Sequence, residues 1–216
     1  LQDNTEPELT IPADYTVECD QEITLDEATA TDVCDSDVTI TLETEEVAGD
    51  CPNSYQIKRT FTAKDDCDNA VSLTQTITVV DTTAPELVIP ADYTAECNDA
   101  HPLEEATATD NCGEVNLVLE ADTVLGACAQ SYVVTRTFTA TDDCGNSTSA
   151  TQTITIQDTT APELTIPEDY TAECSDVHPL LDAMATDNCG MVNITVSTDT
   201  VAGDCPQSYV VTRTFS

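Results

Sequence analysis

The sequence predicts an all-β protein made of tandem immunoglobulin-like or fibronectin III-like antiparallel β-sandwich modules, bridged by disulfides and arranged as an elongated rod. Three observations predict this fold. One segment recurs at a nearly constant spacing, short stretches alternate apolar residues with Thr between Asp, Asn, Gly and Pro turns, and cysteines recur at regular intervals. No stretch of the sequence shows a helical period.

The recurring segment defines the modules. It reads DTTAPELVIPADYTAEC at 81–97, DTTAPELTIPEDYTAEC at 158–174 and, more loosely, DNTEPELTIPADYTVEC at 3–19. Its spacing of 78 and then 77 residues (81 − 3 and 158 − 81) indicates one structural unit copied in tandem. The predicted modules are 1–80, 81–157 and 158–216, and we expect the third to end before its last strand, as in a fragment of a longer chain.

Each strand follows from local alternation and the residues that interrupt it. In module 1 the predicted strands are 9–11, which stops at Pro12, then 15–19, 28–32, 38–43, 55–63 and 70–80. We label the last four B, C, F and G. On this topology the B–C and F–G loops lie at one end of the module, and the A–B and E–F loops lie at the other.

Composition narrows the class of protein. The 42 acidic residues outnumber the 5 basic ones, and the formal charge of −37 repels nucleic acid and anionic membranes while favouring divalent cations. No apolar run is long enough to cross a membrane, so we expect no direct membrane insertion by this fragment. Modules of under 80 residues with 4% aromatic residues bury too little surface to be stable without cross-links.

The 11 cysteines supply such cross-links. They fall as four, four and three along the modules without a CxxC pair, which disfavours zinc and favours disulfides in an oxidising, extracellular compartment. The first and third cysteines of a module are expected at one end, and the second and fourth at the other. The predicted pairs are therefore Cys19–Cys51, Cys34–Cys67, Cys97–Cys128, Cys112–Cys144 and Cys174–Cys205. Cys189 is left unpaired, and pairing of sequence neighbours is the rival scheme.

Each predicted F strand carries one arginine in its inward-facing phase. We expect Arg59 opposite Gln75 and Arg136 opposite Gln152, and Arg213 recurs in module 3. A buried guanidinium without a carboxylate is costly, so we predict a structural polar layer with acidic partners rather than a carboxylate-binding site. The expected partners are Glu18, Glu96 and Glu173.

Acidic residues gather in the B–C and F–G loops. In module 2 these loops hold Asp110, Asp142 and Asp143, and the linker brings Asp81 to the same end. Oxygen ligands from three segments suit Ca²⁺, which takes about six to eight oxygens. We predict Ca²⁺ at the joints between modules; the alternative is a set of solvated turn residues. The full predicted set is Asp3, Asp32, Asp65, Asp66, Asp81, Asp110, Asp142, Asp143, Asp158 and Asp187.

The remaining motifs point to modification or recognition rather than catalysis. Asn146 and Asn193 begin N-x-[ST] sequons and are candidate glycosylation sites. Tyr15, Tyr93 and Tyr170 are the recurring aromatic residues that could contact glycan. The sequence has no Ser/His/Asp set, phosphate loop or histidine cluster, and near-identical copies without a unique cleft argue against an enzyme.

Five motifs carry a resemblance to known repeats: DTTAPEL, the AECxD turn, TATDNC, RTFTATDDCGN and TQTITIQDTTAP. Together they resemble, over the whole chain, the repeats of the giant gliding-motility and surface adhesins of gliding bacteria, the SprB-like proteins. More distantly they resemble hyalin repeats, an immunoglobulin-like module of extracellular adhesion proteins. The resemblance implies export to the cell surface, often by type IX secretion, and long filaments that bind surfaces or polysaccharide.

The sequence therefore predicts stalk repeats of a large secreted or cell-surface adhesin, which provide reach and mechanical stability for attachment or gliding. The predicted partners are neighbouring repeats of the same chain, surface polysaccharide and other copies in a filament. Two alternatives stay open. One is a glycan-binding adhesive module, and the other is a subunit of a self-assembling extracellular matrix or sheath filament.

Overall fold

The computed structural model describes residues 3–128, 130–173 and 175–216, and every helix or strand in these ranges is a strand. The strands are β1 (Glu8–Thr10), β2 (Tyr15–Glu18), β3 (Thr29–Thr31), β4 (Thr39–Ala48), β5 (Tyr55–Lys64), β6 (Ala70–Val80), β7 (Glu86–Val88), β8 (Tyr93–Glu96), β9 (Thr107–Thr109), β10 (Val115–Leu125), β11 (Tyr132–Asp142), β12 (Ser147–Gln157), β13 (Glu163–Thr165), β14 (Met184–Thr186), β15 (Val196–Ala202) and β16 (Tyr209–Phe215). The all-β prediction is confirmed. Within these ranges no helix qualifies as a membrane span.

Module 1 contains two sheets. β1 pairs antiparallel with β3, and the second sheet has the strand order β2-β6-β5-β4. β5 runs antiparallel to both β4 and β6, whereas β2 runs parallel to β6. The sandwich is therefore not antiparallel throughout. The break at Pro12 ends β1 and lets the chain move to the edge of the other sheet, where β2 meets β6 in the parallel direction.

The other modules repeat this pattern. In module 2, β7 pairs with β9 and the larger sheet has the order β10-β11-β12-β8, again with a parallel β12–β8 pair. In module 3, β13 pairs with β14 and β15 with β16. Every one of these sheets takes its strands from one predicted module, although the module boundaries themselves stay a prediction.

The described residues form two compact units that do not coincide with the modules. Unit 1 extends to Pro90 and also contains Glu105–Glu120 and Thr137–Thr151. Unit 2 contains Ala91–Glu104, Ala121–Arg136 and Gln152–Ser216. Each unit therefore combines residues of two consecutive modules, so a junction between modules can be described inside each unit.

A buried polar pair divides the core of module 1. One apolar cluster contains Leu9, Phe61 and Ala63, and the other contains Val17, Ile77 and Val79. Arg59 lies two residues before Phe61 on β5, and Gln75 lies two residues before Ile77 on β6, so all four side chains face inward. Arg59 is 5% exposed and Gln75 is 1% exposed.

Neutral oxygens satisfy Arg59. Its Nη1 donates to Gln75 Oε1 and to the carbonyl of Asp26, both at 2.9 Å, and its guanidinium lies 4.9 Å from the centre of the Phe61 ring. Gln75 Nε2 donates to the carbonyl of Ala13 at 2.8 Å. The pair thus links β5 and β6 to the segments that precede β2 and β3.

The same layer recurs in module 2. Arg136 donates to Gln152 Oε1 and to the carbonyl of Glu104, both at 2.9 Å. In module 3, Arg213 instead forms an ion pair with Asp182 at 3.3 Å.

The predicted glutamate partners are therefore wrong. Glu18 and Glu96 bind Thr82 and Thr159 of the linkers, and Arg213 has Asp182 as its acidic partner instead of Glu173. Backbone carbonyls and an amide oxygen supply what a carboxylate was expected to supply.

Candidate functional site: the joints between modules

Two disulfides cross the junction between modules 1 and 2, inside unit 1. Cys19, which follows β2, bonds to Cys112, and Cys51 bonds to Cys144, with Cα–Cα distances of 5.9 and 5.0 Å. Cys112 lies in the loop between β9 and β10, and Cys144 lies in the hairpin loop between β11 and β12. The two bonds therefore connect module 1 to both loops at one end of module 2.

One disulfide crosses the junction between modules 2 and 3, inside unit 2. Cys97 follows β8 as Cys19 follows β2, and it bonds to Cys189 at a Cα–Cα distance of 5.7 Å. Cys97 Sγ also lies 3.9 Å from the carbonyl oxygen of Asn188, and Asn188 Nδ2 donates to Asn98 Oδ1 at 3.4 Å. The second joint thus repeats the first-to-second cysteine bond of the first joint.

The predicted pairing within modules is wrong. Cys19–Cys51, Cys97–Cys128 and Cys112–Cys144 do not form, and Cys189, predicted to be unpaired, is bonded. Cys34 and Cys67 are both free, as are Cys128 and Cys205; Cys174, the predicted partner of Cys205, lies outside the described residues. Each observed bond joins the first cysteine of a module to the second of the next, or the third to the fourth of the next.

A short linker explains this pairing. Only residues 81–85 separate the end of β6 from the start of β7. Such a linker spans at most about 18 Å, so loops at the end of one module meet loops at the start of the next. The bonded cysteines are 93, 93 and 92 residues apart. The spacing alone is compatible with both schemes, and the short linker is the sequence signal that favours the observed one.

The linker itself is held by the recurrent glutamates. Glu18 accepts hydrogen bonds from the backbone N–H of Thr82 at 3.1 Å and from its hydroxyl, and Glu96 binds Thr159 in the same way. These bonds, the side-chain bond foremost, lower the pKa of Glu18. The two threonines were missed in the sequence, although each recurs immediately after the linker aspartate.

Two asparagines add contacts at the first joint. Asn53 Nδ2 donates to the carbonyl of Cys112. Asn146 Nδ2 donates to the carbonyl of Asp81 at 3.1 Å and to Asp142 Oδ2 at 2.8 Å. The side-chain nitrogen of the Asn146 sequon is therefore occupied, whereas Asn193 is exposed.

Three of the predicted calcium ligands meet in unit 1. Asp81, Asp110 and Asp142 each offer a carboxylate oxygen, and these oxygens lie within 4.8 Å of one another. Asp81 is 9% exposed and Asp142 is 7% exposed. Asp110 Oδ2 is buried without a hydrogen-bond partner among the described residues. Hard oxygen donors, high negative charge and an unpartnered buried oxygen fit a divalent cation such as Ca²⁺.

Burial and hydrogen bonding shift the pKa values of this cluster in opposite directions. Burial, followed by the charge of Asp142, raises the pKa of Asp81. Burial also acts to raise the pKa of Asp142, but hydrogen bonds from Asn146, Cys144 and Gly145 outweigh it and hold that pKa below its ordinary value. Asp142 therefore stays ionised beside Asp81, whose charged form is disfavoured until a cation or a proton compensates it.

The other predicted acidic ligands are dispersed. Asp3 and Asp32 lie near the thiol of Cys34, and Asp158 lies near Glu96 and the bonded Cys189. Asp187 accepts from the backbone N–H of Cys189 at 2.8 Å. Asp65 accepts from Cys67 N and from both nitrogens of Asn69, and Asp66 and Asp143 are exposed. Most of these acids therefore shape loops.

The recurring tyrosines also have a local role. The hydroxyl of Tyr15 donates to the carbonyl of Thr24 at 2.7 Å, and Tyr170 donates to Pro179 at 3.2 Å. Tyr93 donates to Pro102 at 3.4 Å. Each tyrosine thus closes the loop that follows its own segment, nine residues ahead.

Comparison with known families supports one part of the resemblance. Residues 7–79 match the family described as "HYR-like domain with 4 cysteines". The match covers module 1 between the first linker and the end of β6. The resemblance to SprB-like adhesins stays a prediction. No curated protein gives a significant sequence match to the chain.

Among solved structures, the chain resembles cadherin repeats at low identity. Protocadherin gamma B7 extracellular cadherin domains 1–4 are 14% identical with a TM-score of 0.36, over 99% of this chain and 68% of that chain. The protocadherin gammaB7 EC3-6 cis-dimer structure gives 13% and 0.35, over 92% and 66%. Drosophila N-cadherin EC1-4 gives 18% and 0.31, over 90% and 62%. The chain spans less than two thirds of the last two, and no cadherin property is carried over from these similarities.

Proposed function

We propose that the chain is a series of extracellular adhesion-type repeats that form the stalk of a large secreted or cell-surface adhesin. The observation that carries this proposal is the set of disulfides that connect consecutive modules. The HYR-like match of module 1 agrees with an extracellular repeat, a setting in which disulfides persist. Neighbouring repeats of the same chain are thus the first partners of each module.

The bonding pattern has a mechanical consequence. From Cys19 the shortest covalent path crosses to Cys112, returns to Cys97 and crosses to Cys189. Only 15 residues (112 − 97) then carry the load in place of 170 (189 − 19). Fully extended, these correspond to about 50 Å and about 600 Å. The joints therefore limit extension far more than bonds inside modules would.

Single-molecule pulling with handles at the two chain ends tests this function. Without reductant we expect the segment between Cys19 and Cys189 to lengthen to no more than about 50 Å of contour, and with reductant to about 600 Å. The matched control is the double variant Cys97→Ser with Cys189→Ser, which opens the second joint and leaves a 77-residue path (189 − 112). Its contour is about 270 Å. Full extension of the unmodified chain in the absence of reductant would contradict the proposal.

We also propose that Ca²⁺ binds Asp81, Asp110 and Asp142 and joins the linker to the two loops of module 2. The raised pKa of Asp81 means that its charge opposes folding above its unfolded-state pKa, and that this cost grows as the pH rises through the folded-state value. A bound cation removes the cost. Asp81→Asn should therefore raise the melting temperature in chelator and abolish the further rise caused by Ca²⁺.

The control for the calcium site is Asp143→Asn, because Asp143 neighbours Asp142 but is exposed. This variant should keep the Ca²⁺-dependent rise in melting temperature. A melting temperature of the unmodified chain that is the same in Ca²⁺ and in chelator would remove the cation from the joint and leave the disulfide stalk untouched.

Attachment to surfaces or polysaccharide, gliding, and export by type IX secretion are proposals that rest on the resemblance to SprB-like repeats. A glycan array probed with the whole 216-residue chain tests the recognition part. Binding that requires Tyr15 or Tyr93 would favour the glycan-binding alternative. The hydrogen bonds that both hydroxyls make to loop carbonyls favour the stalk.

A further inference from the structure

The cysteines that the joints leave free occupy defined positions in the repeat. Cys112 and Cys189 are second cysteines and Cys144 is a fourth cysteine, and each is bonded to the preceding module. Cys34 and Cys67 are the second and fourth cysteines of module 1, and both are free and exposed. Module 1 thus presents the receiving half of a joint.

We propose that Cys34 and Cys67 form a covalent docking site for the first and third cysteines of another repeat of this kind. A second copy of the chain supplies these cysteines from its module 3, through Cys205 and through Cys174, which lies outside the described residues. The product is a head-to-tail, disulfide-linked assembly. The inference rests on the proposed function for its pairing rule and extends it from joints within a chain to joints between chains.

The free loops have the backbone geometry of the bonded ones. Asp32 Oδ1 accepts from the backbone N–H of Cys34 at 2.7 Å, and Asp65 Oδ1 accepts from that of Cys67 at 2.9 Å. The equivalent bonds in module 2, Asp110 to Cys112 and Asp142 to Cys144, are both 2.8 Å. Module 1 therefore already holds its two thiol-bearing loops as module 2 holds them in the completed joint.

A further hydrogen bond keeps the two loops of module 1 side by side. The backbone N–H of Asp66, next to Cys67, donates to Asp35 Oδ2, next to Cys34, at 2.8 Å. The two thiols nevertheless form no bond with each other. In module 2 the corresponding thiols bond across the joint rather than to each other, and the same outcome is expected for module 1.

The environment of the free thiols slows other reactions. The charge of Asp3, followed by burial, raises the pKa of Cys34, and burial, followed by the charge of Asp65, raises the pKa of Cys67. The acidic groups around the two thiols are Asp3, Asp32, Asp35, Asp65 and Asp66. Since the thiolate is the reactive form, we expect slow oxidation near neutral pH and faster bond formation as the pH rises.

Each new bond requires an oxidant, here a small-molecule disulfide. A thiolate of one copy attacks oxidised glutathione, forms a mixed disulfide and releases one reduced glutathione. A thiolate of the second copy then attacks the protein sulfur of the mixed disulfide and releases the second reduced glutathione. Two thiols thus lose two protons and two electrons, and one glutathione disulfide becomes two thiols.

The test is to equilibrate the purified chain in a buffer of reduced and oxidised glutathione, followed by non-reducing electrophoresis and peptide mapping. We expect a ladder of dimers and higher oligomers whose peptides contain a bond between Cys67 and Cys205, and which collapses to monomer with reductant. The double variant Cys34→Ser with Cys67→Ser should stop the ladder. Cys128→Ser should keep it, because Cys128 is a third cysteine and belongs to neither end of the assembly.

The map separates the possible failures. A Cys34–Cys67 bond within one monomer, free thiols at both positions after equilibration, or a ladder that survives the double variant would each overturn the docking site. Loss of the Cys19–Cys112 and Cys51–Cys144 peptides would instead overturn the joints on which the proposed function rests. Because the map is read on the unmodified chain, it does not depend on the folding of any variant.

Discussion

Modules 1 and 3 share their motifs but differ by one strand. Module 1 contains β6, which places Gln75 beside Arg59 and buries Ile77 completely. Module 3 ends with β16, and its Arg213 and Phe215 stay partly exposed, whereas Arg59 and Phe61 are buried. The closing strand thus provides much of the core and completes the polar layer, and the strand before it cannot bury its own inward face.

The closing strand also organises the start of a module. β2 and β8 pair in parallel with β6 and β12, respectively. In module 3 residues 170–173 repeat the sequence of β8 almost completely but form no strand. Local sequence is therefore insufficient for this element, because its hydrogen-bond partners lie on a strand that comes about 60 residues later.

The largest expected effect comes from completing module 3. We would append a copy of residues 140–157 after Ser216, with its cysteine changed to Ser so that no new disulfide forms. Amide exchange in β16 and in residues 170–173 should slow by more than about 100-fold, since both segments gain hydrogen-bond partners and a buried face. The matched control changes the counterparts of Gln152, Ile154 and Ile156 in the appended strand to Ser. Equal protection by both extensions would mean that inward packing does not matter.

A pair of truncations sharpens the comparison of the cores. Phe61→Ala should destabilise module 1 by about 3–5 kcal/mol, because Phe61 is 3% exposed in a cluster with Leu9 and Ala63. Phe215→Ala at the equivalent position of module 3 should cost less than about 1.5 kcal/mol. Native-state hydrogen exchange of β5 and β16 measures the two costs separately. Equal costs would contradict a core that depends on the closing strand.

The polar layer gives a smaller effect. Gln75→Ala leaves the Arg59 guanidinium with one fewer buried acceptor and the Ala13 carbonyl without its donor, so we expect a loss of about 2–3 kcal/mol. Thr74→Ala, at an exposed position on the same strand, should change stability by less than about 0.5 kcal/mol. Chemical denaturation measures both. A neutral Gln75→Ala variant would show that the layer contributes no stability.

The smallest effect concerns the linker and appears only in acid. Because hydrogen bonds from Thr82 lower the pKa of Glu18, its stabilising contribution is complete above its unfolded-state pKa. That contribution is lost as the pH falls through the lowered folded-state value. Glu18→Gln should therefore weaken the joint at neutral pH and flatten the acid limb of the melting curve, whereas Glu8→Gln on exposed β1 should not. An unchanged acid limb would exclude a role for Glu18 in holding Thr82.

Alternation located the strands well and failed where polarity hides a strand. The predicted limits 70–80 coincide with β6, whose apolar and Thr residues alternate throughout. β4 was predicted to end at Glu43 but continues to Ala48, because the acidic residues beyond Glu43 are exposed yet still pair through their backbones with β5. Backbone hydrogen bonding needs no apolar side chain, so periodicity gives no signal there.

For the site, position was predictable and partnership was not. The motifs placed acidic residues near the loops of Cys112 and Cys144, and the structure brings Asp81, Asp110 and Asp142 together. The partners of Glu18 and of the cysteines differed, because each prediction looked inside one module. A five-residue linker makes the neighbouring module as close as the next loop of the same one.

Repetition, alternation and cysteine count are properties of the chain itself, and they suffice for an all-β, disulfide-linked series of modules. The choice between Cys51 and Cys112 as the partner of Cys19 requires distances between loops that belong to different modules. Such distances arise only when the modules pack end to end. A sequence records which thiols are present, but a disulfide depends on which two Cβ atoms come within bonding reach in the folded molecule.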